Sequence, residues 1–294
     1  MSAPSASVVI CSRNRPVLLR EAAESVLRGA VLPLEIVVVD QSDARDEVLA
    51  AMRDERCEIR YLHDTERGVS RARNRGLGAS RGEAVVFTDD DVLVDPSWLG
   101  AMLAALGAMG PRGVVTGRVL ATEHETPGGW APALVADEQP AVYEGRIGRD
   151  VLEAGNMAMY RATLLEVGGF DPRLGPGTPF PAGEDNDMGY RLLAAGCRIR
   201  YEPGGVIYHR AWRGPEEYIP LRWRYGIGQG AYYAKHLRAG GAHMRGRLAR
   251  LLGKHLSLAL RRAPREPRAA GGHAAYIAGV VGGLVRWTAQ GGRR

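Results

Sequence analysis

The chain has 294 residues, 45% hydrophobic and 24% charged, which excludes a disordered or collagen-like chain and leaves room for a sizeable core. Three cysteines, Cys11, Cys57 and Cys197, stand too far apart for a disulfide framework or a cysteine metal site, which fits a reducing compartment. The net charge of +6 hides an asymmetry. From Arg210 onward 17 Lys and Arg face 3 acids, against 22 basic and 30 acidic residues before it, so the C-terminal part either meets an anionic partner or presents a solvated basic helical surface.

The run SVVIC at 7–11 is short, apolar and β-branched, and it ends in the polar turn SRNRP. A helix follows at 17–28, with Leu18, Ala22, Ser25 and Val26 near a 3.6-residue spacing. LEIVVV at 34–39 reads as a strand buried on both faces, ending at Asp40. The pattern continues with a helix at 45–53, a strand at 58–62, a helix at 69–79, and the strand AVVFT at 84–88. Strands alternating with helices in this way predict an α/β fold with a mostly parallel sheet. Ligands bind such sheets at the carboxyl ends of the strands, so Cys11–Arg15, Asp40–Asp43 and Asp89–Asp91 should face one crevice. Beyond Pro96 the spacing predicts a helix at 98–108, a strand at 113–120, no clear period over 121–150, and a strand at 157–161. A short helix at 163–167, a helix at 184–195 and extended segments at 198–201 and 206–209 complete this part. A compositional boundary falls near Trp212. The N-terminus lacks the basic start and apolar run of a signal peptide, and the longest apolar stretch, 274–285, is too short to span a bilayer.

Three consecutive carboxylates, Asp89, Asp90 and Asp91, repel one another and need a cationic partner. Oxygen ligands suit Mg2+ or Mn2+, with other positions left to water and phosphate; an acidic turn closing the strand is the plainer alternative. Alternation along an extended segment places Asp89 and Asp91 on one side and Asp90 on the other, favouring a D-x-D pair. Glu184, Asp185 and Asp187 crowd the first turn of a helix, where the macrodipole favours negative charge; they read as a cap or as general bases held at the crevice. His209 is an ordinary structural histidine when taken alone, and an imidazole ligand when set beside a D-x-D. Arg71 and Arg73 are solvated helix surface or partners for a carboxylate or phosphate. GIGQG at 226–230 follows no strand and does not match a dinucleotide fingerprint.

Taken in order, SVVICSRNRP, EIVVVDQSD, GVSRARNRG, VVFTDDDV, GNMAMYR, GGFDPRLG and GEDNDMGYRLLAAGCRIRYEPGGVIYH span residues 7–209. This series resembles the family 2 glycosyltransferases, inverting nucleotide-sugar enzymes of the Rossmann-like GT-A fold. VVVDQSD stands where VVDDGS is more frequent, and Cys11-Ser12 where Pro-Thr is common. The resemblance implies a GT-A catalytic domain over residues 1–212 and a basic amphipathic helical region over 213–294. It implies that Cys11, Arg13 and Asp40 hold the nucleobase, with Arg73 supporting that pocket. Asp89 would approach the ribose, with Asp90 beside it as a spare donor-side group. Asp91 and His209 would bind a divalent cation, Mn2+ or Mg2+, on the donor diphosphate. Asp185 would be the catalytic base, with Glu184 and Asp187 shaping the acceptor site. The implied partners are a nucleotide-sugar donor, UDP-type favoured, and a hydroxyl acceptor of the glycan, lipid-linked, cell-envelope or secondary-metabolite kind. Two rivals are weaker. A sugar nucleotidyltransferase would carry glycines in the SRNRP turn, and a non-catalytic sugar-nucleotide binder would dispense with the acidic triplet, the Glu184-Asp185 pair or His209.

The C-terminal region interleaves Arg and Lys with Leu, Tyr and Trp. Over 244–260, Leu248, Leu251, Leu252, His255, Leu256 and Leu258 gather on one side. Such a helix lies in a membrane interface with its cations on anionic head groups, or packs on the catalytic domain; the sequence leaves both open. Nucleic acid is not an expected partner, because no base-stacking module is present. The expected location is cytoplasmic, peripheral on the membrane's cytoplasmic face if the first alternative holds.

Overall fold

The computed structural model describes residues 3–124 and 127–290. Its first half is the expected alternation: β1 (Ala6–Ser12), α1 (Pro16–Leu27), β2 (Glu35–Asp40), α2 (Glu47–Ala50), β3 (Glu58–His63), α3 (Val69–Ala79) and β4 (Ala84–Asp89). Next come β5 (Val92–Val94), α4 (Trp98–Met109), β6 (Gly113–His124), β7 (Ala141–Tyr143), β8 (Asn156–Tyr160), α5 (Arg161–Glu166), α6 (Glu184–Ala194) and β9 (Arg198–Ala211). Among the described residues the strands form one sheet in the order β3-β2-β1-β4-β8-β6-β9-β5, with β7 also on β9. β3, β2, β1 and β4 run parallel, while β8 is antiparallel to both β4 and β6. The fold is therefore a mixed, mostly parallel α/β sheet flanked by helices.

The apolar runs of β1, β2 and β4 follow from burial on both faces. Val8, Ile10, Ile36, Val38 and Val86 pack with Leu19, Trp98 and Met102 on one side. Val9, Val37, Val39, Val85 and Phe87 pack with Ala72, Leu77, Met188 and Leu192 on the other. Two local expectations change. The helix at 45–53 is a single turn, capped by Asp46, whose carboxylate accepts from the amides of Val48 and Leu49 at 2.9 and 3.0 Å. The two extended segments at 198–201 and 206–209 are one strand. Its register against β6 jumps from Glu202 to Val206, so Pro203, Gly204 and Gly205 bulge out without ending the pairing.

After a short turn at 215–217 come α7 (Tyr218–Arg262) and α8 (Pro267–Ala289). α7 breaks at Gly241, whose φ of +53° and ψ of −134° are non-helical, and it doubles back so that Arg222 meets His255 and Tyr232 lies beneath Arg247. α8 runs alongside the first half of α7. The glycines of GIGQG explain how closely: a Cβ at Gly230 would lie 2.1 Å from the Val280 carbonyl oxygen, and one at Gly228 would lie 2.2 Å from that of Ala182. Gly228 thus seats α7 directly on the loop that leads into α6. Of the leucine face expected over 244–260, Leu248 and Leu251 pack against Tyr232, Tyr233 and Met244, whereas Leu256 is 54% exposed. No helix among the described residues is long and apolar enough to cross a membrane.

Candidate active site

The carboxyl ends of β1 and β4 open into a cleft of about 590 Å3, closed by the N-terminus of α6 and by α7. The acidic triplet and His209 both line it, and the sheet explains why. β5 pairs antiparallel with β9, setting Val92 opposite His209, and the Arg210 amide donates to the Asp91 carbonyl at 2.9 Å. The His209 Nε2 stands 3.8 Å from Asp91 Oδ1. Its Nδ1 lies 3.2 Å from the Arg210 carbonyl oxygen, which can only accept, so Nδ1 carries the proton and Nε2 presents a lone pair.

The D-x-D alternation does not hold. β4 ends at Asp89, and Asp90 and Asp91 occupy a turn, so the side chains no longer alternate. Asp89 accepts from Arg73 Nη2 at 2.9 Å, while Asp90 and Asp91 share Arg15 Nη1 at 3.0 and 3.3 Å. Asp90 also accepts from the Ser12 hydroxyl at 2.6 Å. Burial and the adjacent Asp91, partly offset by Arg15, push the Asp90 carboxyl up to about 7. Asp91 is further held by Trp212 Nε1 at 3.2 Å and approached by Arg213 at 3.7 Å.

Arg73, 4% exposed, is the hub of the opposite wall. It reaches Glu184 and Asp185 with Nη1, both at 3.4 Å, and stacks 5.3 Å from the Phe170 ring. It therefore sits among the carboxylates of the cleft and has no ion pair or hydrogen bond with Asp40 among the described residues, although the resemblance had placed it there; α3 itself packs on β1 and β2. Arg71 remains on the surface beside Glu66. Asp185 keeps 28% of its side chain exposed. Burial and the neighbouring Glu184, opposed by Arg73, hold its carboxyl well above the ordinary aspartate range. Glu184 is raised as well, by burial set against the Arg73 charge.

Cys11 and Arg13 line the cleft; burial lifts the Cys11 thiol to about 12, which keeps it neutral, and Arg13 pairs with Asp43 at 3.1 Å. Asp40 does not face the cleft. It is 1% exposed, and its oxygens accept from the Tyr61 hydroxyl at 2.6 Å and the Ser42 amide at 2.9 Å. Asp187 is also elsewhere: fully buried, it accepts from Lys235, His236 and Arg191 at 2.7, 2.7 and 2.9 Å, tying α6 to α7. Two residues, about 200° around the helix, separate the two: Asp185 faces the cleft and Asp187 faces the helices.

The sequence reading missed Gln41, which exchanges hydrogen bonds with the Gly68 backbone, and Glu153, whose carboxyl is raised to about 8 by burial and by Asp89 and Glu184. Glu153 lies in a stretch without periodicity, so no spacing marks it. Among the described residues no three His, Cys, Asp or Glu side chains form a ready cation cage. Asp91 and His209 nevertheless offer a carboxylate oxygen and an imidazole nitrogen 3.8 Å apart, a donor set suited to Mn2+ or Mg2+. The residues fit such a cation.

The pre-mycofactocin glycosyltransferase of Mycobacterium tuberculosis is 30% identical over 219 residues, 69% of this chain and 42% of that protein. The succinoglycan biosynthesis protein ExoO of Rhizobium meliloti is 31% identical over 219 residues, 70% of this chain and 61% of that one. The chain thus spans between 42% and 61% of the length of these relatives. The mannosyltransferase PcManGT from Pyrobaculum calidifontis, solved in complex with GDP-Man and Mn2+, matches with a TM-score of 0.64 at 19% identity, covering 97% of this chain and 88% of its own. That likeness identifies the fold as GT-A. The model of the family described as Glycosyl transferase family 2 matches residues 7–168, more than half of the chain, and by that match the chain belongs to glycosyl transferase family 2.

Proposed function

We propose that this chain transfers a sugar from a nucleoside diphosphate donor to a hydroxyl acceptor, inverting the anomeric carbon and depending on Mn2+ or Mg2+. The observation that carries the reading is the meeting in one cleft of the Asp91–His209 pair and the raised carboxyl of Asp185. Asp91 and His209 would hold the cation, which when bound supplies Lewis-acid stabilisation of the charge on the departing diphosphate. Arg15 and Arg213, both beside Asp91, add fixed positive charge on that side of the cleft. Cys11, Arg13 and Gln41 line the end where the nucleobase would lie, and a UDP sugar is the first donor to try.

On the opposite wall, Asp185 takes the proton of the acceptor hydroxyl as its oxygen bonds to the anomeric carbon and the bond to the diphosphate breaks. Attack from the face away from the leaving group inverts the centre. A carboxyl raised above its ordinary value is a stronger base once ionised. Arg73 bridges Asp89 and Asp185 and holds the base facing the donor.

The catalytic unit is assigned to 1–212 and the helical region to 213–294, and the helical region is proposed to touch anionic membrane. Trp223 and Ile219 on α7 and Val281 and Val285 on α8 are exposed, and the +14 balance of residues 210–294 complements anionic head groups. The deciding experiment for the enzyme is donor hydrolysis over a panel of nucleotide sugars with Mn2+ and with EDTA, preceded by a thermal-shift screen in which bound donor raises apparent stability. Hydrolysis of one donor that EDTA abolishes supports the reading. Absence of any Mn2+-dependent donor binding across the panel overturns it.

A further inference from the structure

Asp185 and Asn186 border two cavities. Both line the cleft, and both also line a second cavity of about 490 Å3 between the 145–152 segment, α6, and α7 around its break. The two differ in balance. The cleft sets six carboxylates against five arginines, whereas the second cavity sets Arg146, Arg149 and Arg247 against Asp150 and Asp185.

These arginines are not all committed. Arg247, 4% exposed, pairs with Asp150 and leaves its Nε buried without a hydrogen-bond partner. Among the described residues Arg149 meets only the Tyr143 hydroxyl, at 2.5 Å, and that ring's face. Arg146 is exposed and has no ion pair or hydrogen bond among the described residues. His243 gives its Nε2 proton to the Ile147 carbonyl at 3.1 Å. Between these groups the walls are apolar, with Val151, Leu193 and Ala239 beside the Tyr190 ring.

We propose that this second cavity is the acceptor subsite, and that it takes an acceptor whose apolar body carries a carboxylate or phosphate, held at the Arg146, Arg149 and Arg247 rim. The assignment rests on Asp185 being the base. An inverting displacement needs the acceptor hydroxyl on the face of the anomeric carbon opposite the diphosphate and within reach of the base, and Asp185 borders both cavities. An anionic group is drawn to the arginine rim, so charge orients the acceptor as well as attracting it.

The test uses the full chain saturated with Mn2+ and with UDP or GDP, whichever binds, so that the cleft is filled. Calorimetric titration with phenyl phosphate, phenylacetate and neutral phenylacetamide should show at least one anion binding about tenfold more tightly than the amide, the worth of one charge-assisted hydrogen bond. Which anion wins separates a phosphate-bearing from a carboxylate-bearing acceptor. The double variant R146E/R149E, altered at exposed positions, should lose the preference. Saturating anion should also suppress donor hydrolysis in the parent chain, by excluding water beside Asp185, and should fail to do so in the variant. Equal affinity for all three probes, a preference that survives in the variant, or hydrolysis indifferent to the bound anion overturns the proposal. Mn2+-dependent nucleotide binding without any probe tests the catalytic reading separately. If it succeeds and the anion preference is missing, only the acceptor assignment falls.

Discussion

Replacing Asp187 with alanine tests whether this carboxylate is a rivet between α6 and α7 or part of a substrate site. Its side chain is fully buried and meets two cations and an imidazole: Lys235 at 2.7 Å, Arg191 at 2.9 Å and His236 at 2.7 Å. Removing one partner of a buried ion pair typically costs about 3–5 kcal/mol. Both cations retain other acceptors: Lys235 bonds Asp171 at 2.8 Å, and Arg191 bonds the Val167 and Gly169 carbonyls at 2.7 and 2.6 Å. His236 loses its carboxylate. The cost should therefore fall at the low end, about 3 kcal/mol, which lowers the melting temperature of a chain of this size by about 6 °C or more. Burial by itself would raise the Asp187 carboxyl, but the hydrogen bond from His236 and the charges of Arg191 and Lys235 outweigh it and hold it below its ordinary value. Its stabilisation is thus complete above the unfolded pKa of about 3.9 and is lost as pH falls through the lower folded value. Urea denaturation of parent and variant should show a constant gap from pH 7 to about pH 5 that closes below about pH 4. Denaturation midpoints that coincide at neutral pH, together with a raised KM for acceptor, would refute the structural role and return Asp187 to the acceptor site.

The remaining predictions concern the cleft and the helices. Asp185→Asn should lower transfer by about 10²–10⁴-fold while calorimetric binding of Mn2+ and nucleotide survives; near-parental turnover would remove Asp185 as the base. Because burial and Glu184 raise this carboxyl, the parent rate should climb with pH as the base ionises, with its midpoint above the aspartate value of about 3.9. His209→Ala should weaken activation by Mn2+ at least about tenfold, and EDTA should stop transfer in the parent reversibly; an unchanged metal titration would count against the Asp91–His209 site. In Gly228→Val the new Cβ would meet the Ala182 carbonyl at 2.2 Å, so a loss of about 1–3 kcal/mol or more is expected in thermal shift. Trp223→Glu should reduce co-sedimentation with anionic vesicles without altering donor hydrolysis, and undiminished sedimentation would remove α7 from the membrane contact.

Legibility in the sequence followed physical cause. β1, β2 and β4 could be read because burial on both faces forces unbroken apolar runs, and the meeting of Asp91 with His209 was reachable once strand ends were known to share a crevice. The orientation of the triplet was not, because alternation stops where β4 ends at Asp89, a boundary that three identical residues cannot reveal. Asp185 and Asp187 looked equivalent as first-turn acids; only the packing of α7 separates the one that faces the cleft from the one it buries. GIGQG could be excluded as a nucleotide motif but not understood, since its close approaches are to Ala182 and Val280, both distant in the chain. Glu153 owes its raised carboxyl to burial and to Asp89 and Glu184, both distant in the chain, and nothing local announces that.

β9 has an engineering consequence. Its last residues run from His209 straight into Trp212 and Arg213, both of which contact Asp91, and the Trp130 indole donates to the Gly214 carbonyl just beyond, at 3.0 Å. A chimaera that exchanges the C-terminal helices between relatives must therefore keep this hinge with the sheet. Cutting before Gly214 would import foreign side chains onto the aspartate that faces the imidazole, and even a splice after it replaces Arg222, Tyr225 and Gln229, which line the cleft.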